Sequence, residues 1–437
     1  MVTAWRGWPR YIRNMRIAAL LFVFAALLPL AAQDVKPKDV REAAKSGSTA
    51  IPKLREYLKN PASDVRAEAV RQLTEIGTAA SLDPLIEATR DNDPQVQILA
   101  VDGLVNFYSP GYVKTGLSGS LQKVGTSIKG KFTDTNDLVI DGYVTVRPEV
   151  ISAIAKLVTG GASMESRANA AHAEGILRGR AALPELVEAT HSKDSDVIYE
   201  SLVALQKIRD ESSGPSIAFR LHDLDPKVQI AAIQTTGVLL NKSAVPDLID
   251  VLNRSRDARV KREALTAIAM LPVPSSRTLY AQYLHDKDDR MRAAAAEGYA
   301  RLRDPADLPM IEKAWQDEAK TAPRLSLAFA QVMLGKNAVS EFSPLQFLIN
   351  NLNSASYNGV AFPFLVELAR DSAVRQALYA PLAAGTATKE EKIGLARVLA
   401  RSGDSGSVAA LEAVSKDSDP AVAQEGLRAL RTLQSRM

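Results

Sequence analysis

The chain has no cysteine among its 437 residues. Disulfides, thiol nucleophiles, thiolate metal sites and lipid attachment through cysteine are therefore excluded. Histidine is scarce, with four in the whole chain, and aromatics make up 5% of it. A core built instead from Leu, Val, Ile and Ala suits closely packed helices better than a β-sandwich. Long apolar runs are lacking too. IAALLFVFAALL (17–28) is twelve residues long, whereas a membrane-spanning helix needs about twenty.

That run has a different use. Arg6, Arg10, Arg13 and Arg16 precede it and PLAAQD follows it, the layout of a secretory leader. The expectation is a signal peptide over residues 1–32, cleaved near Ala32, with the mature chain periplasmic or secreted; an uncleaved anchor is the alternative. Excess charge disappears with the leader. The chain carries 54 Lys and Arg against 50 Asp and Glu, and four of those arginines and none of the acids lie in residues 1–33. The mature chain is formally neutral, so no nucleic-acid footprint is expected.

What remains is repetitive. LDPLIEATRDNDPQVQILAVDGL (82–104), LPELVEATHSKDSDVIYESLVAL (183–205), VPDLIDVLNRSRDARVKREALTAI (245–268) and ALEAVSKDSDPAVAQEGLRAL (410–430) share one plan. An apolar helix A ends in a charged turn, and D-x-x-[VM] opens a helix B rich in Ala and Leu. The Asp recurs as Asp93, Asp194, Asp225, Asp257, Asp288 and Asp419, with central spacings of 31, 32 and 31 residues, while the first unit has Ala62 there. Its carboxylate is placed to accept from the free N–H groups that open helix B. Pro follows in Asp93-Pro94, Asp225-Pro226 and Asp419-Pro420, where a missing N–H costs nothing. One helix pair cannot bury its own apolar stripe, so stacked neighbours must cover it. The fold class is therefore all-α, an α-solenoid of antiparallel helix pairs about 31 residues long.

The P-x-L-[IV] of helix A and the D-x-x-V-[RK] of helix B, clearest at Asp257-Ala258-Arg259-Val260-Lys261, resemble the HEAT-repeat superfamily. The short bacterial HEAT-like repeats related to those of phycobilisome lyases are especially similar. The resemblance runs over about residues 48–437 with two interruptions, and it specifies architecture rather than activity. Asp93 and Asp194 are 101 residues apart, which leaves an insertion at 109–147 and a degenerate repeat at 148–179. A second, out-of-phase helical region spans 337–388. Repeats thus fill 33–108, 148–336 and 389–437.

No catalytic, metal or cofactor site emerges. His191, His222 and His285 each stand three residues before the repeat Asp, but Lys59, Arg90, Arg254 and Lys416 fill the same slot elsewhere. A row of basic residues there serves the negative end of helix A. GTSIKGKF (125–132) nearly spells a phosphate-binding loop, yet Phe132 replaces the required hydroxyl. GLSGSLQKV before it is no strand, and FTDTND after it is an acidic turn.

The same stretch reads better as a weak amphipathic helix. Leu117, Leu121, Val124, Ile128 and Phe132 share one face, with Lys123, Lys129 and Lys131 off it and three glycines loosening it. It needs a surface to lie on, either the solenoid's own groove or a partner. DLVIDGYVTV (137–146) is expected to add a short strand. The candidate partner-binding residues are Tyr112, Leu121, Lys123, Ile128, Lys129, Lys131 and Phe132.

The functional expectation is an exported, non-enzymatic scaffold without cofactors. It binds a protein or peptide partner through its concave face and the 109–147 insertion, with peripheral membrane contact possible through the lysines. The alternative implied by the resemblance is a HEAT-like enzyme or accessory of lyase or glycosylase kind. A glycosylase-like basic cleft finds no support, because Trp315 is the one tryptophan after the leader and no basic stripe surrounds it.

Overall fold

The computed structural model describes residues 35–113 and 138–437. The expected leader, and the candidates Leu121, Lys123, Ile128, Lys129, Lys131 and Phe132, lie outside the described residues. Within them the chain is helical throughout. A first helix α1 (Pro37–Ala44) precedes the pairs α2 (Ile51–Tyr57) with α3 (Ser63–Ile76) and α4 (Leu82–Ala88) with α5 (Pro94–Tyr108). After the insertion come α6 (Pro148–Gly160) with α7 (Met164–Leu177), α8 (Leu183–Ala189) with α9 (Ser195–Ile208), and α10 (Gly214–Ile217) with α11 (Pro226–Val238). The pairs α12 (Val245–Arg254) with α13 (Ala258–Met270), α14 (Arg277–Tyr283) with α15 (Asp289–Leu302) and α16 (Leu308–Asp317) with α17 (Thr321–Met333) continue the array. It ends with α18 (Pro344–Asn350) and α19 (Asn358–Leu368), the short α20 (Ser372–Ala377) and α21 (Tyr379–Ala383) before α22 (Lys389–Ser402), and α23 (Val408–Val414) with α24 (Pro420–Gln434).

The caps fall where the spacing predicts. Asp93, Asp194, Asp225, Asp257, Asp288 and Asp419 each accept from backbone N–H groups in the first turn of α5, α9, α11, α13, α15 and α24. Ser163 does the same for α7 in a reciprocal capping box with Ser166, which makes the degenerate repeat a full helix pair. Most of these caps are themselves braced: Asp91, Ser192, Asp223, Ser255, Asp286 and Asp417 accept from the N–H of the cap two residues on. Basic side chains early in one B helix pair with those braces or caps of the next repeat: Arg66 with Asp91 at 2.7 Å, Arg262 with Asp288 at 2.5 Å and Lys392 with Asp417 at 2.7 Å.

Successive B helices stack directly on one another, α7 on α9, α11 on α13, α13 on α15 and α15 on α17. Neighbouring A helices meet more sparingly. The tighter layer of a stacked array lies on the inside of its curve, so the B helices form the concave side. Small residues permit the stacking, such as Ala264, Ala267, Ala294 and Ala295, all buried.

Two expectations change. Residues 138–147 contain a turn and no strand: Ile140 donates a single backbone hydrogen bond, to Ile176 O at 3.0 Å, and its side chain is buried. The 337–388 region is two further helical units with shortened outer helices. Arg301 stitches this break, donating to Ala269 O, Glu297 and Glu367 while lying over the Phe329 ring.

Tyr280 of α14 is fully buried against Gly298 of α15, and its hydroxyl donates to Ile268 O of α13 at 3.0 Å. Burial pushes the phenol up to about 12. Gly298→Ala places a methyl group in the ring and should cost about 1–3 kcal/mol. Tyr280→Phe should cost about 1 kcal/mol. Urea unfolding midpoints of the two variants check both values.

Candidate binding face

Counting from the cap, the ninth residue of one B helix meets the sixth residue of the next. Asn169 donates to Asp102 at 3.3 Å, His172 Nδ1 meets Glu200 at 2.7 Å and Gln234 donates to Glu263 at 3.1 Å. Ser326 donates to Glu297 at 3.1 Å and Arg397 to Glu425 at 2.9 Å. These positions lie opposite the stripe that packs against the A helices, so a polar ladder runs along the concave side. Its members are polar residues that read in the sequence as ordinary solvated groups, although Asn169, His172, Glu200 and Ser326 are buried. Their period is the signal that could have revealed them.

Both ends of the insertion are held by the last turn of α5. Val113 N–H donates to Asn106 Oδ1 at 2.9 Å, and Arg147 N–H donates to the Tyr108 hydroxyl at 3.1 Å. Tyr112, the one candidate partner residue among those described, packs half-buried against the core. Burial, and then the charges of Asp102 and Glu200, hold its phenol well above the ordinary tyrosine range. Its hydroxyl is directed at the array.

The curvature brings the last helix back to the residues that follow the insertion. Arg428 of α24 grips the Asp141 carboxylate through two nitrogens, at 2.5 and 2.9 Å, across 287 residues of sequence. Because residue 140 bonds Ile176 O at the end of α7, this contact closes α24 onto the third pair. Arg436 donates to Ala400 O at 2.7 Å and ties the last turn of α24 to α22.

Three arginines face this seam. Arg178 and Arg209 follow α7 and α9 in the left-handed conformation, at φ 51° and 58°. The equivalent place after α3 is taken by Gly77, at φ 58°. Glycine is the residue that suits such a cap, and a side chain there costs on the order of 1 kcal/mol. Arg401 comes from α22 and lies 4.9 Å over the Phe362 ring. Burial and then the charges of Arg178, Arg209, Arg397 and Arg428 lower the Arg401 pKa; burial and Arg209 lower that of Arg178. All three side chains nonetheless remain open to solvent.

On the outer side, a cleft of about 720 Å³ opens between α2, α4 and α6, where the insertion interrupts the array. Its charges are matched, Arg55 with Glu87 and Arg147 with Asp83 at 2.9 Å. The histidine row does not converge: His191 stacks on Phe219, with ring centroids 4.4 Å apart.

This geometry defines a class, the all-α solenoid of stacked helix pairs. The family profile for HEAT repeats matches residues 24–105 and 245–330, so those segments carry HEAT repeats. No curated protein matches the sequence significantly. Among solved structures, an engineered protein aligns at 19% identity over 88% of this chain and 98% of its own, with a TM-score of 0.37. YibA of Escherichia coli aligns at 16% identity over 67% of this chain and 94% of its own, with a TM-score of 0.39. The CpcE–CpcF complex of phycocyanin lyase from Nostoc aligns at 15% identity over 73% and 94%, with a TM-score of 0.31. These likenesses concern the fold alone.

One buried carboxyl carries no role on either face. Glu174 of α7 is fully buried, and neither oxygen finds a partner among the described residues. Burial, and then the charge of Glu185, raise its pKa well above the carboxylate range. The folded state therefore holds a proton that the unfolded chain releases, and stability falls as pH rises from the ordinary carboxyl range toward the folded value. Glu174→Gln should remove up to about 1.4 kcal/mol per pH unit of this loss. Thermal melts at pH 4.5 and pH 7.5 check it: the two proteins should match at the lower pH, and the variant should melt higher at the upper one.

Proposed function

We propose that this repeat protein is an exported, non-enzymatic scaffold whose partner is a protein or peptide held along the concave side. The observation that carries the reading is the polar pairing that recurs between B helices, on an array that bends until its last helix meets its third pair. Stacked repeats offer extended surfaces of this kind to extended partners. The neutral mature composition favours a polypeptide over a nucleic acid. The insertion contributes at the edge of that face, where Asn106 and Tyr108 hold its two ends. Export rests on the arginine-flanked apolar leader.

Site-specific photo-crosslinking in an envelope extract tests the reading. A crosslinker at Gln234, exposed on the concave side, should trap a partner, whereas one at Asp247 on the outer α12 should not. Adducts only at position 247, or equal adducts at both, would overturn it. The intact mass of the protein recovered from the producing cell should match a chain beginning at Gln33; retention of residues 1–32 would contradict the export part.

A further inference from the structure

We propose that residues 138–147 form a releasable strap that sets how far the array closes, and with it the access to the concave side. This deepens the concave-face reading and rests on it.

The strap is fastened to the second and third pairs. Ile140 donates its N–H to Ile176 O at the end of α7 at 3.0 Å and buries its side chain, while Leu138, Val144 and Val146 pack against the core. Arg147 N–H holds the far end on the Tyr108 hydroxyl of α5 at 3.1 Å. Between these anchors Val144 N–H donates to Asp141 O at 3.0 Å and closes a turn.

That turn meets the last helix of the array. Arg428 of α24 holds the Asp141 carboxylate through Nε and Nη2, at 2.9 and 2.5 Å, and the Tyr143 hydroxyl donates to the same carboxylate at 3.0 Å. A two-pronged grip fixes direction as well as distance. Gly142 lies against Thr432, where a β-carbon on residue 142 would stand 3.7 Å from Thr432 Cγ2. Arg428 and Thr432 are four residues apart and share one face of α24. One face of the last helix is therefore held by a turn that precedes it by 287 residues.

Two properties make this a device that opens as well as closes. The rotation at each stacked interface is small, and the position of α24 sums all those between α7 and itself. A slight relaxation at each interface moves the last helix away while every repeat keeps its core, so closure is decided where the ends meet. The fastening there is open to water: the Arg428 and Asp141 side chains keep 49% and 25% of their exposure. Among the described residues the broad packing of α24 is on α22 and α23. Accessible ion pairs are weak, which lets this one release without unfolding the repeats beside it.

Small-angle X-ray scattering of the full mature chain tests the strap. Asp141→Asn and Arg428→Gln should each raise the ratio of open to closed forms about threefold, as the loss of an accessible ion pair allows, and so enlarge the radius of gyration. Exchanging the charges, Asp141→Arg with Arg428→Asp, should bring the radius back toward that of the unaltered chain. The chain has no cysteine, so Gly142→Cys with Thr432→Cys offers a single bridge across the contact. Oxidation should fix the smaller radius even when Arg428→Gln is added, and reduction should restore the larger one. Urea unfolding midpoints confirm that the repeats stay folded, and the oxidised–reduced comparison does not depend on the charge variants alone. One radius shared by all forms, an enlargement that the charge exchange does not reverse, or a bridge that fails to form overturns the proposal. No readout involves a partner: failure of the strap leaves the concave-face reading standing, and loss of adducts at Gln234 leaves the strap standing.

Discussion

The stacking of one B helix on the next is the contact on which everything else in this molecule rests. Each helix pair has an apolar stripe wider than its own partner covers, and the next pair buries the remainder. Alanine and glycine at the B–B interface, for example Ala264, Ala267 and Gly237 against Ala267, let these helices approach more closely than the A helices do. A layer that is tighter on one side must curve toward it. Curvature is thus a consequence of side-chain size at a few repeated positions.

The capping acids convert that stacking into a fixed register. An Asp that accepts from the first N–H groups of helix B, braced by an acid or Ser two residues earlier and by a basic side chain from the preceding repeat, fixes where each helix starts. Once the starts are fixed, the ninth residue of one helix must face the sixth of the next. The polar ladder follows from the capping geometry, whether its rungs are His172 and Glu200 or Arg397 and Glu425. Where the period slips, after α17, Arg301 spans the break and bonds groups on both sides of it.

These levels were not equally legible in the sequence. The capping Asp announces itself by its period, because the chemistry that caps a helix is local and reads directly from D-P or D-x-x-V. The insertion was visible as a gap in that period. The strand expected from DLVIDGYVTV did not form because its alternation of apolar and polar residues has no neighbouring strand to pair with; Ile140 is instead buried beside the end of α7. The bond between Asp141 and Arg428 was beyond sequence reasoning, since it depends on small angular increments accumulated over all the repeats between them. Arg178 and Arg209 carried a signal that could have been read: arginine standing 31 residues apart at a cap where Gly77 stands in an earlier repeat.

The closure also changes what a surface charge means here. On an open array, Arg178, Arg209 and Arg401 would each be a solvated cation at a helix end, stabilised a little by the helix dipole and otherwise inert. Bringing α24 onto the third pair adds burial and neighbouring positive charge at Arg401 and Arg178, and both effects lower their pKa. Asp141 pairs with Arg428 and Glu425 with Arg397, and the Asp141 charge also offsets part of the burden on Arg178. An array that bends far enough to bring its last helix onto its third pair therefore juxtaposes residues that no single repeat possesses, and the charge at that seam is set by which of them meet.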